Sequence, residues 1–166
     1  MQEEWLPIDE FPGYSVSNYG FVHSTNTERV LKNSPVQYNM PTVGMSIDGK
    51  QHRRSVAGLV ARAFLPDPEA DHFDTPIHLD GDRSNCRVDN LAWRPRWFAI
   101  NYHIERRSSP LPPWSRDIRL LDTGEVFSSP AEAAQKYGLL EVDINRSLVM
   151  GYDVFPHGFT FIFDVD

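Results

Sequence analysis

One stretch constrains this chain more than any other. Residues 76–103 begin with a short apolar run ending in His78, continue through a polar turn at Asp80-Gly81-Asp82, and pass Asn85, Cys86 and Asn90. They then reach Leu91-Ala92-Trp93, followed by Pro95 and a segment that carries Asn101 and His103. Asp-Gly favours a tight turn, and proline is well tolerated in the first turn of a helix. The expected order is therefore strand, loop, strand, helix. A histidine in a strand is, taken alone, more often structural than catalytic. Here a frame of turn-forming and amide side chains surrounds it, and a neutral imidazole near its ordinary pKa of about 6.5 can accept a proton at pH 7.

Upstream, residues 4–22 alternate aromatic and β-branched residues around Asn18-Tyr19-Gly20, which suits strands and a turn. Short apolar runs between 36 and 52 break at Asp48-Gly49, a hairpin signal. Val56, Leu59, Val60, Ala63 and Phe64 then fall at helical spacing, with Ser55 as cap and Pro66 and Pro68 as stops. Asp67–Thr75 is expected to be an acidic loop. Downstream, the stretch Ser108-Ser109-Pro110-Leu111-Pro112-Pro113 reads as a stiff linker. Beyond it come a strand-turn-strand around Asp122-Thr123-Gly124 and a helix opened by Ser129-Pro130-Ala131-Glu132. A second helix over about 142–150 and a closing strand over 158–163 complete the chain. The expected organisation is residues 1–107, a linker at 108–115, and a small module at 116–166.

The central stretch resembles the HNH nuclease motif, and most nearly its phage and intron-encoded homing-type members, whose core reads N-H-x-D-G-x-x-x-N-N-x-x-x-N-L-x-W. The segment from Trp5 to Val22 is similar to the nuclease-associated modular domain that often precedes such a core. The Gly124-Glu125-Val126-Phe127 segment and the helices after it resemble the helix-turn-helix repeat of intron-encoded nucleases. The resemblance implies an α+β chain with a ββα-metal (HNH) core, an N-terminal antiparallel β-element and a C-terminal helix-turn-helix module. It implies a DNA endonuclease of phage or mobile-element type that takes Mg²⁺ or Mn²⁺. His78 matches the general base. Asn90, Asn85 and Asp80 match positions that set the loop geometry, and Asn101, His103 and Asp80 are candidate metal ligands. Two positions depart from the pattern: Ile77 stands where the family has Asp or Asn before the histidine, and Ala99 stands where it has the ligand on the helix. Asn101 serves in that place if the loop before the helix is longer, and His103 is the alternative, imidazole being a good transition-metal ligand.

Charge bears on the partner. The chain carries a net charge of −7, whereas contact with phosphates is driven by Lys and Arg. Between Asp80 and Arg119, however, eight arginines face five acids, a local excess of +3. Arg83, Arg87, Arg94 and Arg96 are candidate contacts to double-stranded DNA, joined by Asn145 and Arg146 on the second helix of the C-terminal module, where such a helix meets the major groove. For Asn145 and Arg146 a solvated helix face is the competing reading. A single cysteine leaves no intramolecular disulfide, no run of about 18 apolar residues suggests a membrane span, and the acidic start lacks the layout of a signal peptide. A cytoplasmic location, in a host cell if the gene is phage-borne, is expected. A nick is the expected product, since a double-strand break needs a second active site or a dimer; the sequence leaves monomer and dimer both open. A second function class stays open beside the enzyme: a DNA-binding or protein-binding module on a catalytically degenerate HNH scaffold, as Ile77 and Ala99 would allow.

Overall fold

Asp48 and Gly49 both take positive φ, 49° and 74°, the backbone that a two-residue hairpin turn needs. They join β6 (Met40–Ile47) to β7 (Lys50–Ser55) with Ile47 paired to Lys50. The computed structural model describes residues 2–36, 40–68, 70–107, 117–151, 154 and 161–163. The expected linker at 108–115 and the start of the closing strand at Gly158 lie outside the described residues. Two compact units are present, Met1–Ala99 and Ile100–Asp166.

In the first unit, β1 (Trp5–Pro7), β2 (Tyr14–Ser17), β3 (Val22–Ser24) and β4 (Arg29–Val30) form an antiparallel sheet in that order. A second antiparallel sheet pairs β5 (Ser34–Val36) with β6 and β6 with β7. Along β6, Val43 and Met45 are buried while Gly44 and Ser46 are exposed, the period-2 pattern of a half-buried strand. Helix α1 (Val56–Phe64) starts as its sequence foretells, with the Ser55 hydroxyl accepting from Gly58 N at 3.4 Å. Its buried face packs against β2, β6, β7 and also β8 (Thr75–His78) and β9 (Leu91–Arg94). One core therefore serves both the N-terminal sheets and the β8–β9 pair: Val16, Val22, Met45, Val56, Leu59, Cys86 and Leu91 belong to a single cluster. Each fully buried aliphatic side chain of this kind contributes roughly 1.5–3 kcal/mol, so the N-terminal sheets are part of what holds the β8–β9 hairpin. That hairpin is antiparallel, with Ile77 opposite Ala92 and His78 opposite Leu91. Helix α2 (Arg96–Arg107) follows Pro95, whose carbonyl accepts from Ala99 N at 3.0 Å. The division between units falls inside this helix, after Ala99.

In the second unit β10 (Ile118–Leu120) lies between β11 (Val126–Phe127) and β12 (Phe161–Phe163). Helix α3 (Pro130–Tyr137) is capped by Ser129 and ends at Gly138 in the left-handed region, φ 60°. Helix α4 (Glu141–Met150) follows after three residues and ends at Gly151, φ 72°. Ile118, Leu120, Phe127, Ala134, Leu139 and Ile144 form the core of this helix-turn-helix unit. Leu140 offers α4 no side-chain cap. The Glu105 carboxylate on α2 takes that place, accepting from Glu141 N at 2.6 Å, which gives the C-terminal half of α2 a reason to belong with this unit. Among the described residues no helix is long and apolar enough to cross a membrane.

Candidate functional site

Strand alternation would send Ile77 and His78 to opposite faces, yet both are inside: Ile77 is fully buried and His78 is 2% exposed. Cys86 is brought against the imidazole by the loop from Leu79 to Asn90. Asn90 is the tie that shapes it. Its Nδ2 donates to Asp80 Oδ1 and to the Asn85 carbonyl, both at 2.9 Å, and its Oδ1 accepts from Asp80 N at 3.0 Å. Its own carbonyl accepts from Leu79 N at 2.9 Å. Asn85 Nδ2 reaches the second Asp80 oxygen at 2.7 Å, while Asp82 N donates to the first at 2.8 Å. Asp82 in turn accepts from the Ser84 backbone and hydroxyl at 2.9 and 2.7 Å. Gly81, at φ 79°, lets the chain turn so that its N–H closes on the His78 carbonyl at 2.9 Å.

The electrostatics of His78 follow from this enclosure. Burial drives its pKa from 6.5 down to about 4; Asp80 and Asp82 pull it upward, and Arg83 adds to the lowering. The imidazole is therefore neutral at pH 7 and in the protonation state of a proton acceptor, although as a base it is weaker than an exposed histidine. Behind the ring lies Cys86, whose Sγ is 3.9 Å from His78 Nε2 and 3.8 Å from the Arg83 carbonyl. Burial lifts the Cys86 pKa to about 11, so it remains a thiol. Sequence reasoning missed Cys86: in the chain it is one lone cysteine in a polar turn, and nothing in the spacing marks it as a neighbour of the histidine.

The sequence candidates separate into groups. His78, Asp80, Asn85 and Asn90 are brought together in one loop. Asn101 and His103 lie on the C-terminal half of α2, counted with the second unit, Asn101 exposed and His103 buried against Tyr102. Two residues on a helix differ by about 200°, which is why the pair divides in this way. The Asp80 carboxylate already accepts three hydrogen bonds inside the loop. Ile77 and Ala99, standing where the resemblance has ligands, are core residues. Among the described residues no three His, Cys, Asp or Glu side chains come together as a metal site. Among the described residues the donor set therefore offers no ready-made carboxylate and imidazole cluster for Mg²⁺ or Mn²⁺.

The arginines also differ. Arg87 pairs in bidentate fashion with Asp89, at 3.1 and 3.0 Å, and lies 4.4 Å over the Tyr19 ring. Arg94 is buried, donating to the Trp93 carbonyl at 2.7 Å, with its guanidinium over Phe98. Arg83 is half-buried and Arg96 exposed. On α4, Arg146 is exposed and sits 3.8 Å from Asp143, and Asn145 is half-buried.

Comparison with known proteins agrees with this architecture. The NUMOD4 motif matches residues 3–51. The H-N-H endonuclease F-TflI of Escherichia phage T5 is 38% identical over 93 residues, covering 53% of this chain and 45% of that protein. The uncharacterized HNH endonuclease L247 of Acanthamoeba polyphaga mimivirus is 30% identical over 90 residues, 53% of this chain and 22% of its own length. The chain thus spans less than half the length of these relatives. Among solved structures, one described as "DNA binding and cleavage by the HNH homing endonuclease I-HmuI" superposes over 98% of this chain and 99% of its own, with a TM-score of 0.56 and 23% identity. That likeness establishes the fold.

Proposed function

We propose that this chain, similar in sequence and fold to the HNH homing-type endonucleases, is itself a DNA endonuclease that hydrolyses the phosphodiester backbone. The observation that carries the proposal is His78, a neutral buried imidazole fixed by a loop whose geometry is set by Asn90. In this reading His78 removes a proton from a water molecule, the resulting hydroxide attacks phosphorus, and the bond from phosphorus to the leaving oxygen breaks, that oxygen taking up a proton from solvent. Asn90 and Asp80 hold the loop, and Arg83, the cation of the loop that acts on His78, offers positive charge to the phosphate. Arg96 and Arg146, both exposed, are the candidates for contact with double-stranded DNA; Arg87 and Asn145 join them by position, while Arg94 serves the fold.

The resemblance carries an expected need for Mg²⁺ or Mn²⁺. Asn101, His103 and Asp80 are its candidate ligands, and an ion held there would supply charge stabilisation at the phosphate. Nicking of supercoiled plasmid in either metal, wild type beside His78→Ala, tests the function. A second reading has its own observation: the buried Ile77 and Ala99 suit a scaffold kept for binding DNA, which would shift DNA in a gel and cut none.

A further inference from the structure

The turn in the N-terminal sheets lies residue by residue against the loop that carries the candidate chemistry. Asn18 O accepts from Val88 N at 2.9 Å, the Tyr19 ring stacks under the Arg87 guanidinium at 4.4 Å, and Gly20 abuts Cys86. The last contact is tight: a Cβ on Gly20 would lie 3.0 Å from Cys86 Cβ and 3.3 Å from the Cys86 carbonyl oxygen. The turn itself is tied by its own hydrogen bonds. Asn18, 3% exposed, donates to the Gln2 carbonyl at 2.9 Å and accepts from Glu4 N at 3.1 Å. The Ser17 hydroxyl accepts from Tyr19 N and Phe21 N at 3.3 and 3.2 Å. On its far side Cys86 meets His78, Sγ to Nε2, at 3.9 Å. A single buried side chain thus stands between a fixed turn and the imidazole.

We propose that the Asn18–Gly20 turn is a buttress for His78 that acts through Cys86, making Cys86 a positioning residue and the N-terminal sheets part of the active-site scaffold. The proposal rests on the nuclease reading for its consequence in catalysis, but the contact it describes does not. Close packing transmits displacement, and a misplacement of about 1 Å can cost a reaction on the order of 100-fold. Cys86→Ala opens a gap behind Nε2. Gly20→Ala presses on Cys86 from the other side and strains a backbone at φ 86°.

The test has two readouts on the full chain. The first is steady-state nicking, separated into kcat and KM. The second is the ¹⁵N spectrum of the His78 ring at one fixed pH, identified by its loss in His78→Ala. Cys86→Ala and Gly20→Ala are expected to lower kcat about tenfold with KM for DNA within about twofold, and to shift the His78 ring signals. Cys86→Ser, nearly isosteric and still a donor, is expected to retain most of both, and Cys86→Ala, which only trims a buried side chain, carries the test alone if Gly20→Ala folds poorly. Unmoved His78 signals in Cys86→Ala and Gly20→Ala would overturn the buttress whatever happens to kcat, and so would wild-type kcat in both. If the wild type nicks nothing, the nuclease reading fails, and the ring signals still decide whether the turn and Cys86 hold His78.

Discussion

At the scale of single residues, His78 couples protonation to folding. Its pKa is about 4 in the folded chain and 6.5 when unfolded, so between those values the unfolded chain binds the extra proton. The stability gained from a neutral, buried imidazole is complete above about pH 6.5 and is lost as pH falls toward 4. A gap of that size corresponds to roughly 3 kcal/mol. Urea unfolding of the wild type should show this decline, and His78→Leu should flatten it; equal slopes in the two proteins would refute the burial. The same depression implies that the acid limb of any nicking activity lies below pH 6. Asn90→Ala removes three side-chain hydrogen bonds from a buried loop. It should cost about 1–3 kcal/mol, read by urea midpoint, and lower nicking. The resemblance pointed to His78 and Asn90 because the motif that carries it is local, spanning the twelve residues between paired strands from Leu79 to Asn90. It did not name Cys86 or Gly20, because their contact joins positions far apart in the chain and depends on which sheet packs where.

At the scale of elements, the helices were the most legible. Ser55 and Ser129 cap α1 and α3 with the bonds their sequences advertise, and Gly138 and Gly151 end α3 and α4. Capping and periodicity are short-range signals, and here nothing tertiary overrides them. The start of α4 is the exception. Its cap is Glu105, 36 residues away, a carboxylate at a helix N-terminus where the exposed N–H groups favour negative charge. Glu105→Ala should therefore destabilise the C-terminal unit by about 1 kcal/mol, measurable as a shift of its unfolding midpoint, while Glu105→Asp should recover part of the loss. An unchanged midpoint would mean that solvent caps α4 equally well. The split of Asn101 from His103 is likewise a property of the helix that carries them. Reading α2 as a helix was enough to separate their directions, but the sequence did not say which of them would be exposed.

At the scale of the whole molecule, charge is the property that most needs explaining. A chain with net charge −7 can hold DNA only through a local basic surface, so its binding should weaken steeply with salt, as counterion release requires. Arg96→Ala and Arg146→Ala should each weaken gel-shift affinity to a similar degree on unrelated DNA sequences and lower the salt slope by about one. Arg94→Ala should instead lower stability, since that side chain is buried. Loss of affinity confined to Arg94→Ala would reverse this assignment. Whether the chain is a nuclease whose base is His78 is decided by one assay: supercoiled plasmid with Mg²⁺ or Mn²⁺, wild type against His78→Ala at equal concentration. Nicked circles are expected from the wild type, with a loss of at least about 100-fold in the variant. Equal nicking by both proteins, or none by the wild type while DNA still shifts in a gel at low salt, would contradict it.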